Sequence, residues 1–252
     1  LRVCIDVPVK GEEILLVQST TKPANDHLME LLLLADTVRR AGAKRVVAVI
    51  PYYGYGRQDR PSYQYGPISA KLVASLLKTV GIDHVITVDL HSSQSEGFFD
   101  MGVSNLDLTN LMKECIHQQP IDVILSPDIG GMTRAKKMAE GLGRPWLVMQ
   151  KDRSCPDLGM QVMGSVQGQH CLLIDDIMDS GATICCAANA LIKQGAASVS
   201  AFVSHGVFSG DYLHHINQID WQQFWVTDTI CQVDLPEVIQ VASVAKSIAM
   251  HC

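Results

Sequence analysis

A chain of 252 residues, 47% hydrophobic and 18% charged, has the length of one large domain or two of about 120 residues. That composition excludes collagen, disordered tails and disulfide mini-scaffolds. Lys and Arg number 20 against 26 Asp and Glu, and the net charge of −6 argues against partners that demand a broad basic face, nucleic acid or an anionic membrane. In chain order, β-branched apolar runs predict strands at 13–18, 45–50, 84–88, 122–125, 146–149, 170–174, 198–203 and 224–227. Between them, amphipathic stretches predict helices at 26–41, 68–80, 109–118, 134–141, 183–194 and 209–216, with a last helix over 238–250. Several helical stretches end in a glycine turn, such as Ala41-Gly42-Ala43 and Gln194-Gly195-Ala196. Strand and helix in alternation predict an α/β fold with mainly parallel sheets flanked by helices. The pattern resets after Asn105-Leu106, which predicts two α/β halves, 1–106 and 107–252.

The eight cysteines, at 4, 115, 155, 171, 185, 186, 231 and 252, contain no CxxC and fit a reducing cytoplasm. No apolar run approaches the about 20 residues that span a bilayer. Strand-like sequence begins almost at once after Leu1, so a further N-terminal segment is expected.

The most informative string runs from Leu172 to Thr183: an apolar strand, the acids Asp175 and Asp176, then the small-residue turn Asp179-Ser180-Gly181-Ala182-Thr183 opening a helix. Backbone N–H groups and hydroxyls at the positive end of a helix cradle a phosphate monoester. Carboxylates at a strand end accept sugar hydroxyls or organise a Mg²⁺ shell. Arg57-Gln58-Asp59 ends an aromatic, glycine-rich loop, where Arg offers forked donors to phosphate or a stacking plane to a base. His91 and Asp128 each follow a strand. Lys151-Asp152-Arg153 opens a Pro- and Gly-containing loop, two cations suited to neutralising charge in phosphoryl transfer.

The Asp175–Thr183 string resembles the type I phosphoribosyltransferase motif, two acids followed by a 5-phosphate loop. Other segments narrow the resemblance to the ribose-phosphate diphosphokinases. These are Val17-Gln18-Ser19, Asn25-Asp26-His27-Leu28-Met29-Glu30-Leu31, the run from Ile50 to Asp59, and Pro67-Ile68-Ser69-Ala70-Lys71-Leu72. Further matches are Asp89-Leu90-His91-Ser92 with Gly97-Phe98-Phe99-Asp100, Ser126-Pro127-Asp128-Ile129-Gly130-Gly131, and the run from Ser204 to Gly210. They stand in family order across nearly the whole chain.

The resemblance implies two tandem phosphoribosyltransferase-like domains, the first on the ATP side and the second on the ribose 5-phosphate side. It implies transfer of the diphosphoryl group of ATP to ribose 5-phosphate. Arg57, Gln58, Asp59 and His91 would bind ATP, and His91 and Asp128 would hold Mg²⁺. Asp175, Asp176, Asp179, Ser180, Gly181, Ala182 and Thr183 would bind ribose 5-phosphate, and Lys151 and Arg153 would be catalytic. Homo-oligomers, dimers built into hexamers, are implied too. The family's N-terminal Phe-x-Asn-x-Glu motif is absent from this sequence, and Tyr65 stands where the phosphate-activated class has an Arg. These two departures keep a second expectation in play, a catalytically weak nucleotide-binding relative that regulates an active synthetase.

Overall fold

Apolar side chains at Leu28, Leu31, Leu32, Ala35 and Val38 recur at helical spacing. In the computed structural model of the chain, which describes residues 3–151 and 159–252, they lie on helix α1, Ala24–Arg40, and all but Leu28 are buried. Asp26 in its first turn and Arg39 and Arg40 in its last complement the helix dipole. Strand β1, Glu13–Val17, precedes it. After it come β2, Arg45–Ile50, α2, Ser69–Thr79, and β3, His84–Val88. A 3-10 turn, Ser93–Phe98, leads to β4, Gly102–Leu106. The strands form one parallel sheet in the order β1-β2-β3-β4. From Val46 to Ile50 β2 is buried without a break, the continuous apolar run of an inner parallel strand. Leu31, Ile50, Leu77 and Val85 share one core with Tyr53 and Phe99. Gly42 (φ 91) and Gly81 (φ 89) stop the two helices in the left-handed conformation.

A second sheet is built from β5, Val123–Ser126, β6, Trp146–Lys151, β7, Met160–Val162, β8, His170–Met178, β9, Ser198–Gly206, β10, Gln223–Thr227, and β11, Ile239–Ala242. Its order is β11-β10-β9-β8-β5-β6-β7, and every pair is parallel except the antiparallel β6 and β7. Helices α3, Thr109–Ile116, α4, Met132–Leu142, α5, Ala182–Lys193, and α6, Tyr212–Ile216, belong with it. Leu173, Leu191, Val203 and Phe224 anchor its core. From β5 the chain moves to β6 on one side, then returns through β8 on the other. The sheet therefore reverses direction between β5 and β8, and in open α/β sheets ligands bind outside the carboxyl ends at that place.

The chain divides into two compact units: one runs to Asp107 and includes Ala245–Cys252, the other is Leu108–Val244. The tail from Ala245 thus counts with the first unit, although its place in sequence put it with 107–252. The helix expected over 238–250 is replaced by β11 and a short helix α7, Ala245–Ala249. Pairing with the open edge of β10 overrides local helical spacing there. Strands β4 and β7 were not foreseen, being polar in the middle or three residues long. Helix α6 starts only at Tyr212 rather than at 209. The amides of Val207, Phe208 and Ser209 are taken by Met178 O and Asp179 O instead.

Candidate active site

In the first unit the loops that follow β1, β2 and β3 emerge at the same carboxyl edge. Thr20 zips the first two together: its N donates to Tyr52 O at 3.0 Å, and its hydroxyl accepts from Gly54 N at 2.6 Å. A Cβ on Gly54 would lie 2.1 Å from Thr20 O, so only glycine permits this approach. Tyr53 anchors the loop from below, its hydroxyl donating to Ala70 O at 2.9 Å and its ring 5.3 Å from that of Phe99. On this base Arg57 and Gln58 are exposed and Asp59 half-buried. Ser69, at the start of α2, bonds the Gln58 amide oxygen at 2.5 Å. His91 is exposed three residues beyond β3.

In the second unit the reversal between β5 and β8 gathers the other group. Asp128 follows β5 in a tight turn: Ser126 Oγ donates to its carbonyl at 2.6 Å, and Gly131 N donates to its Oδ1 at 3.0 Å. Asp175 and Asp176 are not beyond β8, as expected, but inside it, since its pairing with β9 runs on to Met178. Pairing with β5 stops at Leu173, so both acids still project past the end of β5. Asp176 is buried and faces Arg134 of α4 at 3.5 Å, with 7% of the Asp176 side chain and 12% of the Arg134 side chain exposed.

Asp175 is half-buried. Loss of water and the adjacent Asp176 hold its carboxyl well above the usual carboxylate range, Asp128 adding to this and Arg134 opposing it. An acid with a raised folded-state pKa binds protons better folded than unfolded, so its stabilising contribution exists at acid pH and disappears as pH rises through that value. At pH above the ordinary carboxylate range, Asp175 is a cost to the unliganded fold. Asp175→Asn is therefore expected to raise the melting temperature at pH 7 and flatten its dependence on pH. If Asp175 accepts from ribose hydroxyls, as the resemblance implies, ribose 5-phosphate binding should weaken at least about tenfold, as when a hydrogen bond to a charged group is lost. Calorimetric scans across pH, paired with binding titrations, check both.

The turn after β8 has the shape its residues predict. The left-handed conformation falls on Gly181 (φ 81), where a Cβ would meet Met178 Cε at 2.7 Å. Ala182 is already helical, so its Cβ is tolerated. Asp179 is held from across the sheet by the loop after β9, where Ser209 N donates to Asp179 O at 3.1 Å and Ser209 Oγ donates to its carboxylate. Ser180 is exposed and Thr183 half-buried beside the first amides of α5.

The predicted residues thus fall into two groups. Arg57, Gln58, Asp59 and His91 lie in the first unit, and Asp128, Asp175, Asp176 and Asp179 to Thr183 in the second. Lys151 is the last residue of β6, at the carboxyl end of that strand, and Arg153 lies outside the described residues. Sequence reasoning missed Arg134, Ser69, Ser209 and Asn105. Nothing in the local sequence separates Arg134 from Lys136 and Lys137 of the same helix.

A sequence profile of the N-terminal domain of ribose phosphate pyrophosphokinase matches residues 1–81, and one of the phosphoribosyl transferase domain matches 102–233. The ribose-phosphate pyrophosphokinase of Agrobacterium fabrum is 45% identical over 227 residues, covering 88% of this chain and 73% of the relative. That of Rhizobium meliloti is 46% identical over 228 residues with the same coverage. The crystal structure of phosphoribosylpyrophosphate synthetase from Mycobacterium smegmatis superposes with a TM-score of 0.93 at 36% identity, over 98% of this chain and 84% of that one. By sequence and by fold, the chain belongs to the ribose-phosphate pyrophosphokinase family.

Proposed function

We propose that the chain transfers the diphosphoryl group of ATP to the anomeric hydroxyl of ribose 5-phosphate, giving 5-phosphoribosyl 1-diphosphate and AMP. The observation that carries this reading is the pairing, at the reversal between β5 and β8, of two adjacent carboxylates with a glycine-turned helix start. The amides that open α5, with Ser180 and Thr183, hold the 5-phosphate. Asp175 and Asp176 accept hydrogen bonds from ribose hydroxyls and so fix the direction of O1. Arg57, Gln58 and Asp59 bind ATP, with His91 near its phosphates. The sugar O1 attacks the β-phosphorus, the bond from that phosphorus to the oxygen shared with the α-phosphorus breaks, and AMP leaves with that oxygen. The hydroxyl proton passes to solvent. Positioning and charge neutralisation supply most of the acceleration in such a transfer, and Lys151 and Arg153 are the cations for it.

Among the described residues no group of three or more His, Cys, Asp or Glu is arranged to hold a metal ion. That suits Mg²⁺, which takes one or two protein ligands and completes its shell with substrate phosphates and waters. Asp128 of the second unit and His91 of the first, both exposed, are each suited to supply one such ligand. When bound, Mg²⁺ would supply charge neutralisation for the transfer.

Self-association is part of the proposal. Met29 and Leu33 on α1, and Ile68 just before α2 with Leu72 and Leu76 along it, stay exposed at four-residue spacing, apolar stripes of the kind that mark protein contacts. A reducing cytoplasm suits the free cysteines, among which burial pushes the Cys171 and Cys185 thiols up to about 12. Among the described residues no helix is long and apolar enough to cross a membrane.

The test is AMP release from ATP, Mg²⁺ and ribose 5-phosphate. Turnover is expected; nucleotide binding without AMP would replace the enzyme by a regulatory subunit. Phosphate is expected not to be an essential activator, since Tyr65, 94% exposed, offers no cation where the phosphate-activated class has one. A steep phosphate requirement in the same assay would refute that.

A further inference from the structure

The carboxyl end of β3 is strained and is held from outside. Asp89, directly after the strand, has φ 40, a left-handed conformation uncommon in residues other than glycine. Its N donates to Leu106 O at 3.1 Å. The next residue, Leu90, sinks its side chain into the first core and donates its N–H to Asn105 Oδ1 at 3.0 Å. The other end of the Asn105 amide, Nδ2, donates to Glu96 Oε1 at 2.9 Å. Both partners dictate which way the amide points, because a backbone N–H only donates and a carboxylate only accepts. One side chain therefore ties together the end of β3, the 3-10 turn that carries Glu96, and β4. The residue after Leu90 is His91.

From this geometry we propose that Asn105 is a positioning residue for His91: by gripping the Leu90 amide it holds the strained turn that sets His91 at the carboxyl edge of the sheet. Its effect passes through the backbone, since the amide it holds belongs to Leu90, one residue before His91. Strain at Asp89 persists only while its surroundings over-determine it, and the bridge from Asn105 to Leu90 and Glu96 is part of that constraint. The proposal rests on the assignment of His91 to the nucleotide phosphates.

Four variants test it, each followed by steady-state kinetics, ATP binding by titration calorimetry and thermal melting. Asn105→Ala should lower kcat/KM for ATP on the order of 10- to 100-fold, the scale of a misplaced catalytic group, with the KM for ribose 5-phosphate unchanged. Asn105→Asp keeps an acceptor for Leu90 N but sets a carboxylate against Glu96, and should also lose ATP affinity. The double variant Asn105→Asp/Glu96→Gln restores the bridge with donor and acceptor exchanged, and should recover most of that loss. His91→Ala should show the same selective loss for ATP. Equal losses for both substrates, a normal Asn105→Asp, or a double variant no better than the single one would overturn the brace. ATP binding and kinetics left normal by His91→Ala would instead refute the assignment of His91, and the proposal with it.

Discussion

The double variant Lys151→Ala/Arg153→Ala is expected to form AMP from ATP and ribose 5-phosphate at least about 100-fold more slowly than the unaltered chain, the scale seen when preorganised charge-stabilising donors are removed. The loss should fall on kcat rather than on ATP affinity. Lys151 and Arg153 are assigned to charge that develops on the transferring group, whereas Arg57, Gln58 and Asp59 are assigned to the nucleotide in the ground state. An interaction made only in the transition state lowers kcat and kcat/KM together and leaves KM alone. Rapid-quench measurement of AMP at saturating ATP, alongside ATP binding by calorimetry, separates the two. Equal weakening of ATP binding and turnover would move both cations into the nucleotide site and out of the chemical step.

Arg134→Met is expected to have the largest effect on stability. Arg134 is the cation found against the buried Asp176, and Asp175 stands next to it. Removing one partner of a buried pair strands the other charge and costs about 3–5 kcal/mol. Against a total of about 5–15 kcal/mol for a folded domain, that is a large share. The melting temperature should fall by at least about 10 °C. Asp176→Asn in the same chain should recover much of it, because the stranded charge is then gone. Ribose 5-phosphate binding should remain poor in that double variant, since a carboxylate assigned to the sugar is lost with the charge. Scanning calorimetry of the single and double variants decides the first point, and a ribose 5-phosphate titration the second. If Arg134→Met alone melted normally, the ion pair would carry no stability.

The parts of the candidate site that could be read in the sequence are those whose residues are neighbours in the chain. From Asp175 to Thr183, acids, turn and helix start follow one another, and a strand leading into a small-residue turn allows few conformations. Even the tolerance for Ala182 follows locally, because Gly181 takes the left-handed conformation. Arg57-Gln58-Asp59 was legible for the same reason, as was the alternation that predicted two parallel sheets. Arg134 with Asp176, Ser209 with Asp179 and Asn105 with Leu90 were not legible. Each pair is separated by 15 residues or more and meets only through the way neighbouring strands and helices are set side by side.

At the level of elements the division is the same. The apolar spacing of α1 and the unbroken apolar run of β2 predicted their own structure, because their burial is repaid within one element and its immediate neighbours. Residues 238–250 carry a pattern compatible with a helix, yet Ile239–Ala242 became a strand because β10 offered backbone groups to pair with. The true length of β8, which places Asp175 and Asp176 inside the strand, was decided by pairing with β9 continuing past the end of β5. Alone, then, the sequence determined most element types and the local shape of the contiguous strings proposed for phosphate and nucleotide, set by short-range sterics and periodicity, while the family was legible through the resemblance of its collinear motifs. Strand order, the reversal between β5 and β8, and the buried partners Arg134, Ser209 and Asn105 were decided by tertiary structure alone, because inter-strand hydrogen bonding and burial choose among pairings that local sequence leaves equally open.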